Sequence, residues 1–304
     1  MVAALTLVGA SSRVQAQVSA SLTPVRFTLA LNPGNTLSTS IKFSNTSGPA
    51  LYVWLEAQDF MPSDEEGRVA AGAETPPRYA LKDWIAIEAA PVHVARNQTI
   101  ALPFTIQVPP EAQPGARWAA VVVRTETAEA GTLPDPLIHL GSPVLLNVAG
   151  NAEEKLTVKS LTASRFAEHL PVTLTARFAN EGAMYETPKG RVTVRDLLRR
   201  TVATIELPER NILPGFTRKV DAEITDSLRL GPYTASMEVH YGQEGEHIVR
   251  AQTTIWLLPW RGAAITIAIT LALFGALGLL VARHARRSKQ AVRSNDNPHQ
   301  PETL

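Results

Sequence analysis

Seven histidines, a run of carboxylates near position 60, three tryptophans and an early arginine are the residues of this chain best equipped for chemistry. No histidine stands in an H-E-x-x-H or H-x-x-x-H spacing, which would bring two imidazoles to one helix face. His240 and His247 flank a turn and could face each other across a hairpin, as metal ligands or as an ordinary strand pair. Asp59, Asp64, Glu65 and Glu66 crowd hard oxygen donors into one stretch. Calcium uses such donors, but the spacing is not that of an EF-hand, and a solvated acidic loop is the simpler reading. Trp54, Trp84 and Trp118 could stack on sugar rings; each lies in a strand-like run, which places it in a core. Asn45-Thr46-Ser47 and Asn97-Gln98-Thr99 match the glycosylation triplet. No G-x-S-x-G, phosphate-cradling loop or dinucleotide fingerprint occurs, so nothing nominates a nucleophile with its base. The chain reads as a non-enzyme with no cofactor and no metal.

The elements that hold these residues follow from hydropathy. Between Arg261 and Arg283 there is no charge, and about 21 residues of helix rise roughly 31 Å, enough to cross a bilayer core. Residues 262–282 are therefore predicted to span a membrane, with the lipid bilayer as a partner. Trp256 and Trp260 sit where an interfacial aromatic belt would be. Arg283, Arg286 and Arg287 follow the span, which puts the C-terminus in the cytoplasm and everything before Trp256 outside it. The tail 283–304 is basic and is expected to be disordered. Ala264, Ala268, Ala272 and Ala276 recur every fourth residue and would permit close helix approach, including self-association. At the other end, residues 1–16 carry an apolar run and a Val14-Gln15-Ala16 site, the pattern of a cleaved signal peptide.

Between these ends the chain is a series of short apolar alternations cut by prolines and glycines. Pro24–Leu31, Leu37–Asn45, Leu51–Phe60, Trp84–Glu88, Thr99–Val108, Arg117–Thr125 and Leu137–Val148 form a first set. Lys155–Leu161, Val172–Asn180, Arg191–Arg195, Thr201–Leu207, Thr217–Ile224, Tyr233–Tyr241 and His247–Leu257 form a second. Ala149–Glu154 loses the alternation and reads as a linker. Some seven strands per set, separated by turns, predict an all-β chain of two tandem immunoglobulin-like β-sandwiches, 20–149 and 155–258, followed by the single C-terminal helix. A net charge of +1 gives no reason to expect nucleic acid. With no cysteine, both sandwiches rest on packing alone, and thiol catalysis and Cys-based zinc sites are excluded.

Certain turns and strands are familiar. Phe27-Thr28-Leu29-Ala30-Leu31-Asn32-Pro33-Gly34, then Ile41 to Ser47, Pro103 to Val123, Asn211 to Gly215 and Gly231-Pro232-Tyr233, resemble the WxL-interacting proteins of bacterial cell surfaces. That resemblance implies peptidoglycan as a ligand of the first domain and a surface protein as partner of the second. Pro24-Val25-Arg26-Phe27 is also similar to the opening of periplasmic pilus chaperones, where an early Arg and a later Lys hold a subunit's terminal carboxylate. Arg26 takes the first position, whereas Ile138–Val148 has no lysine. Together these lead to a non-enzymatic, membrane-anchored envelope protein whose paired domains bind cell-wall glycan or a surface protein. The alternative is a membrane-tethered chaperone acting by β-strand addition.

Overall fold

β-Branched and aromatic residues alternating with polar ones favour pleated strands with one buried face, and nearly every such segment here forms one. The computed structural model describes residues 19–295, apart from 48, 89, 128–138, 164–165, 168–169, 226–227, 229–230, 243 and 258–259. In chain order the first body has β1 (Ser19–Thr23), β2 (Phe27–Leu31), β3 (Thr36–Ser47), β4 (Leu51–Gln58) and a short pair, β5 (Phe60–Pro62) with β6 (Val69–Ala71). It continues with β7 (Ile85–Ile87), β8 (Val92–Val94), β9 (Thr99–Gln107), β10 (Gly115–Thr127) and β11 (His139–Val148). Two sheets, β1-β3-β9-β7 and β2-β11-β10-β4-β8, pack face to face. Ile41, Phe43 and Ile106 from one sheet meet Val121, Val123 and Leu146 from the other. Each fully buried side chain of this size contributes about 1.5–3 kcal/mol.

The second body comprises β12 (Leu156–Ala163), β13 (Phe166–Ala167), β14 (Val172–Asn180), β15 (Lys189–Arg195), β16 (Thr201–Glu206), β17 (Thr217–Ile224), β18 (Gly231–Tyr241) and β19 (His247–Leu257). Its sheets are β12-β14-β17 and β13-β19-β18-β15-β16, closed over Phe178, Val192, Val220, Met237 and Ile255. The chain is thus two β-sandwiches followed by one apolar helix, α1 (Trp260–Asn295).

Several expectations need correction. The segment expected as one strand, Pro24–Leu31, is strand only from Phe27; Pro24-Val25-Arg26 carries the chain from the sheet of β1 to that of β2. Proline has no N–H to give a ladder, so the strand breaks there. β1, β6, β8 and β13 lie outside the segments expected as strands; they are too short or too polar to show alternation. His247 pairs with Tyr241, and His240 pairs with Ile248. The histidines therefore fall on opposite faces, because one step of register reverses a side chain's face. Of the tail expected to be disordered, the part to Asn295 continues the helix. It is rich in Ala, Arg, Lys and Gln, good helix formers, and has no Gly or Pro before Pro298. The leader 1–16 lies outside the described residues.

Candidate functional site

The site begins with a strand that is apolar on both faces. Along β10, Ala119, Val121 and Val123 point into the first core, while Ala116, Trp118, Ala120 and Val122 point out. Outward residues of this kind need a cover, and Phe60, Met61 and Tyr79 of the first body and Tyr185, Leu213 and Phe216 of the second supply it together. Trp118, fully buried, stacks on Tyr79 at 4.5 Å and meets Phe216 edge-on at 6.5 Å, and its indole N–H donates to Phe60 O at 3.1 Å. The sequence placed Trp118 in a core; that core is the seam between the two bodies. Trp84 is half-buried against the first core with the Arg117 guanidinium over its ring, whereas Trp54, expected in a core, is half-buried on the outer face of β4 because Val53 and Leu55 take the inner one.

The polar half of the seam is the loop from Glu181 to Glu186. Ala116 N–H donates to Ala183 O at 2.8 Å. The Asn147 amide pairs with both Tyr185 O and Tyr185 N, and the Tyr185 hydroxyl donates to Leu29 O at 3.2 Å. Three strands of the first sandwich are thereby bound to one loop of the second. Buried Asn180 braces that loop from beneath, donating to Met184 O and Ile212 O and accepting from Gly182 N–H. The linker lies against the loop so closely that a Cβ on Gly182 would fall 2.6 Å from both Glu153 O and Lys155 N.

Asp64, Glu65 and Glu66 form a bracket across the seam. Asp64 Oδ1 accepts from Glu66 N–H and Arg68 N–H, and these bonds, chiefly that from Arg68, hold its pKa below the usual carboxylate range. The folded turn presents Glu65 O to Lys219 N–H at 2.7 Å, on the free edge of β17, and Glu65 Oε2 to Arg177 Nε at 2.8 Å. Gly67, at φ +88°, lets the backbone lie against the Arg218 guanidinium. Asp59 faces Lys82 at 4.0 Å. Among the described residues no His, Asp and Glu gather as a metal site; the loop is solvated at Glu65 and Glu66, as expected, and Glu65 also reaches the second sandwich through Arg177 and Lys219.

Between bracket and seam lies a cleft of about 160 Å³. Pro143 and Leu145 wall one side, Leu213 and Phe216 the other, and Arg26, Arg68, Asp64 and Arg218 stand around it. Burial, then repulsion from Arg210, lowers the Arg218 pKa, with Asp64 pulling the other way. Arg218 Nε and Asn211 Oδ1 find no hydrogen-bond partner among the described residues. Three arginines against one carboxylate make the cleft receptive to an anionic group. Arg26 was legible in the sequence; Arg218 was not, because it comes from the other body.

Below the loop, Glu186 is 3% exposed, and burial raises its carboxyl pKa to about 7. One oxygen accepts from Gly242 N–H at 2.9 Å, which opposes the rise, and Glu154 adds to it. Glu154 in turn faces His247 at 3.6 Å.

At the far end, Trp256 is exposed on β19, and Ala264, Ala268, Ala272 and Ala276 lie exposed along α1. The side chains of Trp260, Arg283, Arg286 and Arg287 lie outside the described residues.

No family model and no curated protein matches the chain. Among solved structures it is similar to the class 5 fimbriae chaperone CfaA, at 11% identity, covering 77% of this chain and 99% of that one, with a TM-score of 0.41. It is similar to the Pseudomonas aeruginosa chaperone CupB2, at 12% identity, 78% and 100% coverage and a TM-score of 0.36. The CsuC–CsuE chaperone–tip subunit complex of Acinetobacter baumannii gives 10% identity, 77% and 97% coverage and a TM-score of 0.36. None of these comparisons supports the WxL-interacting resemblance.

Proposed function

We propose that this chain is a non-enzymatic, membrane-anchored envelope protein that holds an extended segment of a protein partner by strand addition to β11. One observation carries the reading. Val144–Val148 of β11 is paired on both sides, with β10 and β2, whereas among the described residues His139–Pro143 pairs as a strand with β10 alone, its second side touched only by the Ser142 hydroxyl donating to Pro24 O. An unpaired ladder of N–H and C=O groups is a template for another strand. Its inner end, Pro143, borders the cleft beside Arg26. A segment laid there ends among Arg26, Arg68 and Arg218, a setting suited to a carboxylate. On this reading Arg218, from β17 beside Arg26 in the cleft lining, supplies a second cation in the absence of a lysine on β11.

Anchoring is supported by α1, whose Ala264–Ala282 stretch has a mean hydropathy of 2.5 and no part buried against protein. The basic residues after it support a cytoplasmic C-terminus. No observation favours cell-wall glycan in the same way, since Trp118 is buried in the seam and Trp84 lies under Arg117.

The test is site-specific photo-crosslinking in cells, with a benzophenone residue replacing His139 on the free edge or Thr204, an exposed position on β16. A discrete polypeptide adduct from position 139, weakened by Arg26→Glu and absent from 204, is expected. Equal labelling from both, with co-sedimentation of the full chain on purified peptidoglycan, would overturn the reading in favour of a wall adaptor.

A further inference from the structure

Among the described residues, Leu197 and Leu198 are the most exposed large apolar side chains of the second sandwich, at 77% and 69%. They form the tip of the β15–β16 hairpin, and Arg195, Arg199 and Arg200 surround them with only Asp196 of opposite sign. Single exposed leucines are ordinary; two adjacent ones, flanked by three arginines on a rigid turn, call for a partner. The turn is rigid because Asp196 Oδ1 accepts from both Leu198 N–H and Arg200 N–H at 2.9 Å. Backbone bonds from Arg199 N–H to Asp196 O and from Asp196 N–H to Arg200 O close it further.

Strand register tells where the tip lies. Arg195 pairs with Thr234, and the start of β18, Gly231, pairs with Leu257, the last residue of β19. Continuing past Arg195, the tip comes level with Trp256 and Leu257, just before α1 begins at Trp260. Laterally it is two strands away from β19, roughly 10 Å at ordinary strand spacing. The loops that hold the first sandwich sit at the opposite end of the same sheets. The tip therefore shares its end of the molecule with the apolar helix and with exposed Trp256.

Resting on the membrane-anchored reading above, the geometry points to the hairpin tip as a second membrane contact: Leu197 and Leu198 insert into the interface of the bilayer that holds α1, and Arg195, Arg199 and Arg200 engage anionic headgroups. Apolar insertion with basic flanks is the usual chemistry of interfacial attachment. Arginine suits the boundary because its stem packs on acyl chains while its guanidinium stays at the phosphates. Two contacts on one face, α1 and the hairpin, fix the tilt of the second sandwich, which a single point of attachment would leave free.

The chain has no cysteine, so single labels are unambiguous. Full-length protein carrying an environment-sensitive fluorophore at Leu198→Cys, Glu244→Cys or Leu271→Cys is reconstituted into nanodiscs of phosphatidylcholine with or without phosphatidylglycerol. Quenching is then measured with nitroxide placed shallowly in the lipid for Leu198 and Glu244 and near the ends of the acyl chains for Leu271. At Leu198 it should exceed that at Glu244, at the other end of the sandwich, by about threefold or more with anionic lipid. Arg199→Gln with Arg200→Gln should reduce it. Quenching at Leu271 but not at Leu198 overturns the hairpin contact and leaves the anchor standing. Absence of quenching at Leu271 overturns the anchor, and the hairpin contact with it.

Discussion

Glu186 gives the molecule a pH dependence whose sign is fixed by burial. Its folded pKa, about 7, lies above the ordinary value of 4.5, so between these values the native state binds the proton more tightly than the unfolded chain does. Stability therefore falls as pH rises from 4.5 toward 7 and levels off beyond, by about 2–3 kcal/mol from this group. Denaturant titration of the full chain in micelles at pH 5 to 8 should show the midpoint falling with pH, and Glu186→Gln should flatten the curve. Asn180 acts in the opposite way, by satisfying neighbours. Asn180→Ala strands Met184 O and Ile212 O and frees Gly182 N–H, which should cost about 3 kcal/mol at any pH in the same titration. Neither role was legible in the sequence. A glutamate after a tyrosine and an asparagine at a strand end look ordinary until distant loops close over them.

At the scale of elements the seam and the bracket contribute unequally. Glu65 and Arg177 are both about half exposed, so Glu65→Ala should cost no more than about 1 kcal/mol. Trp118→Ala empties the middle of the seam and should cost about 3–5 kcal/mol. Comparing unfolding midpoints of the two variants decides which joins the bodies; near-equal losses would refute the ranking. Most elements could be read directly: Val172–Asn180, Thr217–Ile224 and His247–Leu257 occupy the residues their alternation predicts. The seam had a weaker signal, the run Ala119-Ala120-Val121-Val122-Val123. A strand apolar on both faces must be covered on both, but the sequence does not say by what. Arg26 could be picked out by its resemblance to a chaperone position, whereas the bracket and Arg218 could not, since Glu65, Arg177 and Arg218 meet only after folding.

Over the whole molecule, the second sandwich is a spacer with distinct ends. The linker enters it at Leu156, beside the loop that carries the first sandwich, and the chain leaves at Leu257, beside the hairpin tip. Spin labels on the two bodies, for example at Glu126→Cys and Thr204→Cys, should give a narrow distance distribution in the full chain and a broad one in Trp118→Ala. A broad distribution in both would mean that the seam does not fix the angle between the bodies. The same arrangement has a mechanical consequence. β12 and β19 run in one direction, from the first sandwich toward the helix, and lie in different sheets. A pull between the first sandwich and the helix loads both strands lengthwise. Their ladders lie across that pull, so the bonds of β19 to β18 must shear together rather than open one after another. Tension that would unzip a hairpin from its end is instead met by the whole length of the sheet.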